Sequence, residues 1–358
     1  MKRPNLIDLI IFGFIFLFLL SYFEPRYLFS LTTTTGGDMG SHFPTAVYLK
    51  NVLLPRGQVL GWEMGNYAGF PIFYYYFPLD FIFNALLAFI IPMQIAFKLT
   101  TVLGTFLLPV CVYFMFRLLG YPWPIPISGA VFSLPFLFME ANSMWGGNIP
   151  STLAGEYSYS LSLSLLMLFF GTLYHGLKER KNIIGNALLI ALIGLSHGFT
   201  FIASGVIGSF FLFTRKDFLK NFWYLFRTYG LALLLISFWL IPFYGNTPWI
   251  TSYVTRWGIG SILEVVPLIL IPFFLLASLS FFLNLFDRRT WYFGYCVLFF
   301  LLLYWLAPAI GMLDIRWVPF IQLWMTIFAA TGLLVFISGL RLIQLVPLII
   351  FLLVSLWV

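Results

Sequence analysis

From residue 7 onward the chain is a succession of apolar runs, each closed by a short polar break. A helix that crosses a bilayer needs about twenty such residues. On that measure the pattern predicts spanning helices over residues 7–23, 94–116, 124–139, 157–177, 223–243, 262–285, 291–309, 319–340 and 342–358. The run 184–213 is broken by Ser196-His197-Gly198 and predicts two short helices, 184–195 and 199–213, that go out and come back. Residues 72–91 are apolar enough to span, but Pro71, Pro78 and Pro92, with Asp80 and Asn84, predict an interrupted segment instead. Such a segment dips into the outer leaflet and returns, buried against protein. The expected architecture is therefore an all-α polytopic membrane protein of about eleven spans. Its N-terminus is cytoplasmic and its C-terminus external, with a first external loop over 24–93 and a second over 140–156.

Composition agrees. Of the 358 residues 61% are hydrophobic and 9% charged, against about 25% charged in a soluble domain, and the mean hydropathy is +0.99. Alternation of polarity over roughly ten-residue segments, the mark of a membrane barrel, does not occur. The net charge of +7 is no sign of nucleic acid binding, because Lys and Arg are scattered between the spans. Under the threading above, Lys2, Arg3, Lys178, Arg180, Lys181, Arg215, Lys216 and Lys220 fall on the cytoplasmic side, as the positive-inside bias requires. Passing 72–91 through the membrane would invert most of them. The N-terminal run resembles a signal sequence, but no small-residue cleavage site follows it, so an uncleaved first span is expected. Cys111 and Cys296 both fall inside spans and are expected to be packing residues. The whole chain reads as one membrane domain that ends on an apolar span, with any external C-terminal domain missing.

The stretch 36–78 is the long segment that is not simply apolar. It carries Asp38 and His42 four residues apart, an amphipathic run over 43–54, and the aromatic cluster 73–77 that includes Tyr75. A loop of this length with little charge and many aromatics is expected to be folded and functional. Asp38 either caps a helix or acts as a general base or metal ligand, and His42 lies one helical turn on, on the same face. The second loop adds Glu140, Asn148 and Glu156, the last of which could equally stabilise a helix dipole. His197 marks the tip of the short-helix hairpin. Arg256, Glu264, Asp314 and Arg316 mark the later loops, with Arg316 either ion-paired to Asp314 or shaped to grip a phosphate. All collect on the external face, where ionisable residues near membrane depth tend to mark function. Trp62, Trp145, Trp249, Trp257 and Trp317 read as interfacial belt residues or as part of a groove for an isoprenoid tail. No nucleotide-binding or common zinc-hydrolase motif occurs.

The pattern resembles the GT-C superfamily of membrane glycosyltransferases. The resemblance rests on an inside N-terminus, a first span, a large external loop opening GGDMGSH, helices along the outer face, and a second acidic loop ending GEY. Within it the chain is most similar to the integral membrane proteins labelled 6-pyruvoyl-tetrahydropterin-synthase-related. The matching positions are Asp38, Ser41 and His42, the stretch from Trp62 to Pro78, Ser196 with His197, and Arg316. Nothing in the residues suggests pterin chemistry.

The resemblance implies transfer of a sugar from a polyprenyl- or dolichyl-phosphate-linked donor, in contact with membrane lipids, to a glycan or protein acceptor. It assigns catalysis to Asp38, His42 and Glu156, and substrate binding to Arg316, His197, Arg256 and Tyr75. A divalent cation, Mg or Mn, would be held by Asp38, Glu140 and Glu156, although the second loop lacks a clean D-x-D or D-x-E pair. The competing expectation is a protein without enzymatic activity, either a lipid or glycan translocase or a structural subunit. A translocase would distribute polar residues through the membrane midplane.

Overall fold

The computed structural model describes residues 4–65, 68–213, 217–251, 256–337 and 343–358. Lys2, Arg3, Arg215 and Lys216, which helped to orient the chain, lie outside them. The order of helices is α1 (Leu6–Tyr22), α2 (Pro25–Leu28), α3 (Met39–Tyr48), α4 (Leu79–Leu87), α5 (Met93–Leu118), α6 (Ile125–Leu137), α7 (Ile149–Ser151), α8 (Tyr157–Glu179) and α9 (Ile183–Ser196). Then follow α10 (Gly198–Ser209), α11 (Phe218–Gly245), α12 (Ile262–Val265), α13 (Ile271–Leu283), α14 (Arg288–Leu306), α15 (Val318–Ile337) and α16 (Val346–Trp357). Apolar helices stand at all eleven predicted spans, most with ends shifted by a few residues, but among the described residues only four, those built on α5, α8, α11 and α14, are long and apolar enough to cross a membrane.

The helices form because each has an apolar stripe to bury or an apolar face to give to lipid. On α1 the buried residues are Asp8, Ile11, Ile15 and Leu19, a three-to-four spacing that makes one narrow seam, while Leu9, Ile10, Phe14 and Leu17 stay exposed. Helix α6 is buried along its whole length and sits at the centre. It packs on α5, α15 and α16; α8 lies along α5 and α9, and α11 flanks α9. Helices α13 and α14 cover α15. Cys111 and Cys296 are buried and free, as expected.

One departure has a local cause. The run 262–285 is not one helix: Pro267 and Pro272 interrupt it, leaving the one-turn α12 before α13. In the first loop, between the amphipathic run and the aromatic cluster, the chain forms a small antiparallel hairpin, β1 (Gly61–Glu63) with β2 (Phe70–Ile72).

The segment 72–91 yields only the nine-residue α4, about 13 Å long, which is too short to span. It lies against α5, with Lys50 donating to the Ala88 carbonyl at its end (2.7 Å). The loop that carries it is folded, as anticipated, and is fastened to the bundle from two sides. Lys98 of α5 donates to the carbonyls of Tyr27 and Ser30, and Trp239 of α11 donates through Nε1 to those of Phe73 (2.9 Å) and Tyr76 (3.1 Å).

Candidate functional site

Helices α8 and α15 begin, and α9 ends, at the same end of the bundle, and the folded first loop covers that end. The site forms where two glycine-containing segments meet. The Asp38 amide donates to the Ala154 carbonyl at 2.9 Å. A Cβ on Gly37 would stand 2.0 Å from that carbonyl oxygen, and a Cβ on Gly155 would stand 2.9 Å from the Asp38 Cβ. Gly155 has φ +117 and lies in a π-helical turn, Thr152–Glu156, that leads into α8. The glycines of GGD and AGE are therefore required for backbone to approach backbone, and the approach sets Asp38 beside Glu156.

Asp38 stands at the N-cap position of α3, yet its side chain makes no capping bond. Its carboxylate is exposed and has neither hydrogen bond nor ion pair among the described residues. That leaves it open to a ligand. Glu156 likewise precedes α8 without capping it and is ion-paired with Arg316 across the bundle. Burial pushes the Glu156 carboxyl above its ordinary range, the Arg316 charge and hydrogen bond oppose this, and the nearby Asp38 charge adds to it. The second guanidinium nitrogen of Arg316, Nη1, is buried without a partner among the described residues. Tyr159 donates to the Arg316 carbonyl at 2.9 Å and fixes the backbone there. Of the two readings open for Arg316, the ion pair with Asp314 is not made. Asp314 instead caps its own turn at the Ile315 amide (2.8 Å) and accepts from the Trp257 amide.

His42 is near Asp38 but set in an aromatic cage of Tyr76, Phe81 and Tyr157. Burial pulls its imidazole down to about 4, against the opposing Asp38 charge and a Gly155 backbone contact, so the ring is neutral at physiological pH. The Tyr76 hydroxyl lies 3.3 Å from His42 Nε2. Burial, with the charges of Glu156, Asp80 and Asp38, raises the Tyr76 phenol far above its usual range, so it stays a hydroxyl.

His197 breaks the chain between α9 and α10 in extended conformation, and its ring rests on Tyr159 and Phe77 within electrostatic reach of Arg316. Beside it opens an apolar cavity of about 310 Å³ walled by Phe77, Phe199, Phe201, Ile236, Trp239 and Phe243.

Asp38, His42, Glu156, His197 and Arg316 thus form one neighbourhood, and three other candidates stand apart. Tyr75 spends its hydroxyl on the Asn246 carbonyl (2.8 Å), which ties the first loop to the end of α11. Arg256 is exposed beside Trp257 and reaches the Tyr304 region rather than Glu156. Glu140 is exposed and makes no hydrogen bond or ion pair among the described residues, while Asn148 secures that loop through the Met139 and Ala141 carbonyls. No group of three or more His, Cys, Asp or Glu side chains among the described residues is arranged to hold a metal ion. With Glu156 committed to Arg316, the proposed Asp38, Glu140 and Glu156 set does not fit a divalent cation.

Two residues of the neighbourhood went unassigned in the sequence. Tyr76 is one of three consecutive tyrosines, and which one turns inward depends on the Phe73 turn at φ +61. Asp80, fully buried, accepts from Ser196 Oγ at 2.8 Å, and that hydroxyl also accompanies the Ser158 carbonyl at 2.9 Å. A lone carboxylate in an apolar run was the available signal.

Residues 73–307 match the family model described as "6-pyruvoyl-tetrahydropterin synthase related domain; membrane protein". Curated proteins give no match. Among solved structures the chain is similar to the crystal structure of ArnT from Cupriavidus metallidurans in the apo state. The TM-score is 0.62 at 11% identity, over 92% of this chain and 60% of that one. The chain thus spans about 60% of the length of that relative. The likeness is one of fold, a bundle of helices.

Proposed function

Starting from the fact that the chain belongs to the family of 6-pyruvoyl-tetrahydropterin-synthase-related membrane proteins, we propose that it is a GT-C-type glycosyltransferase using a polyprenyl- or dolichyl-phosphate-linked sugar. The observation that carries this reading is an open carboxylate, Asp38, set beside Glu156, which is itself ion-paired with a buried arginine whose Nη1 has no partner among the described residues. Asp38 takes the proton of the acceptor hydroxyl. The acceptor oxygen bonds to the sugar anomeric carbon as the bond from that carbon to the phosphate oxygen breaks, with inversion. Arg316 receives the phosphate charge that develops on the leaving lipid, and Glu156 holds the guanidinium in place.

His42 and Tyr76 act on Asp38's side of the site as neutral positioning groups. The apolar cavity beside His197 takes the first isoprene units, close to the phosphate grip. Arg316 does the work that a metal would otherwise do, so transfer is expected to persist in chelator.

The membrane end that holds this site is assigned to the exterior. Lys178, Arg180, Lys181, Lys220, Arg288 and Arg289 lie where α8 ends and where α11 and α14 begin, at the opposite end of the bundle. Acceptor and sugar are identified by assay. Purified protein in proteoliposomes is offered radiolabelled polyprenyl-phosphate hexoses and pentoses with a panel of glycan and peptide acceptors. Transfer by the wild type and its loss in Asp38→Asn support the reading. No transfer from any lipid-phosphate donor, with the protein folded, argues for the translocase or structural-subunit alternative.

A further inference from the structure

At the far end of α8, about 35 Å from Glu156 along a helix of 23 residues, lies a second polar region that the proposed reaction does not use. Two cavities, of about 310 and 810 Å³, share Lys178, Arg180 and Asp217 in their walls and so adjoin. Arg288 closes one side, and Lys220, Arg227 and Trp223 the other. Five cationic side chains face a single carboxylate there.

The pocket has a fixed floor. Arg180 Nη1 donates to Asn221 Oδ1 at 2.7 Å and Nη2 stands 3.8 Å from Asp217, while the buried Asn221 donates to the Phe211 carbonyl at 2.8 Å. Arg288 lies over the rings of Phe210 and Phe211, each at 5.8 Å. All five cations are exposed, but they line one concavity, where their mutual repulsion is relieved by a bound anion. The flank beside it says which kind of anion. Phe222, Trp223 and Phe226 of α11 expose large apolar faces at the rim, the surface a lipid chain requires.

The geometry points to a binding site for the phosphate headgroup of an anionic phospholipid, with acyl chains lying along α11. The phosphate accepts from Arg180 and Arg288, and the surrounding lysines neutralise the remaining charge.

Native mass spectrometry of the full chain, released from nanodiscs of phosphatidylcholine with a minor fraction of phosphatidylglycerol, tests the site. The wild type is expected to retain phosphatidylglycerol in preference to phosphatidylcholine. Lys178→Gln with Arg288→Gln is expected to lose that preference by about fivefold per cation removed. Both side chains are exposed, so the fold should persist. Lys181→Gln removes an equally exposed charge at the same end, outside the pocket walls, and is expected to change nothing. Equal retention of both lipids by the wild type would overturn the inference. So would an undiminished preference in the double variant, or an equal loss in Lys181→Gln, which would mark the attraction as diffuse. Displacement of the lipid by millimolar inorganic phosphate would show that the pocket reads a soluble anion, and the lipid assignment would fall.

Discussion

Replacing Gly155 with alanine perturbs the contact that sets the two halves of the site together. The residue sits at φ +117, where an L side chain is strained by about 1–3 kcal/mol. The new methyl would also stand 2.9 Å from the Asp38 Cβ, and overpacking of this kind costs about 1–3 kcal/mol more. The backbone hydrogen bond that joins the segments, Asp38 N–H to the Ala154 carbonyl, contributes about 1 kcal/mol. It cannot hold the contact against a local cost of about 2–6 kcal/mol, so the segments separate. The bundle does not unfold, because its core lies on α5, α6, α8 and α15.

A displacement of about 1 Å between reacting groups costs roughly 100-fold in rate. Gly155→Ala should therefore keep a cooperative melt, read by tryptophan fluorescence, while transfer in proteoliposomes falls about 100-fold. Gly40→Ala is the control, since a Cβ there meets nothing within 4 Å on an ordinary helical backbone. It should transfer as the wild type does. Wild-type transfer by Gly155→Ala would show that the approach of the two backbones is not what assembles the site.

Other expectations follow from the same geometry. Glu156→Gln leaves the Arg316 charge buried with a weaker partner and should lower stability by about 1.5–3 kcal/mol; in a double-mutant cycle with Arg316→Gln the losses should be less than additive, and strict additivity would deny the pairing. Arg316→Lys, which keeps the charge but not the fork, should not restore transfer. His42 titrates at about 4 when folded and at 6.5 when free, so the unfolded chain binds the extra proton in between. Stability is then full above pH 6.5 and falls as pH drops toward 4, by up to about 3 kcal/mol. His42→Gln should flatten that acid limb, as read by melting temperature against pH, and an unchanged limb would place the titration elsewhere.

How much of this could be read from the chain depends on the range of the interaction concerned. Apolar runs are local signals, so helices such as Ile183–Ser196 and the break at His197 were legible to within a residue or two. The short α4 was legible because prolines and two buried polar groups punctuate its run. The split at Pro267 was missed because an apolar stretch hides a proline's effect when hydropathy alone is followed.

In the site, GGD and GEY are legible as acidic loop motifs, and the structure brings Asp38 and Glu156 together. The reason for their glycines was not legible, since a close approach needs a partner 118 positions away. For Arg316 the sequence leaves open an ion pair with Asp314 or a phosphate contact, and the carboxylate two residues before it is consumed by local amides. Its real partner lies 160 residues upstream. Tyr75 and Tyr76 differ by one position in an irregular turn with no period to say which faces inward.

The central claim is a division of labour between Asp38 and Arg316, and binding measured separately from turnover tests it most directly. A photoreactive polyprenyl-phosphate sugar is titrated against wild type, Asp38→Asn and Arg316→Gln in proteoliposomes, with crosslinking and transfer read in the same samples. The account predicts that Asp38→Asn crosslinks as the wild type does yet transfers no sugar, and that Arg316→Gln loses crosslinking. Transfer at the wild-type rate by Asp38→Asn, or undiminished crosslinking of Arg316→Gln, would contradict it.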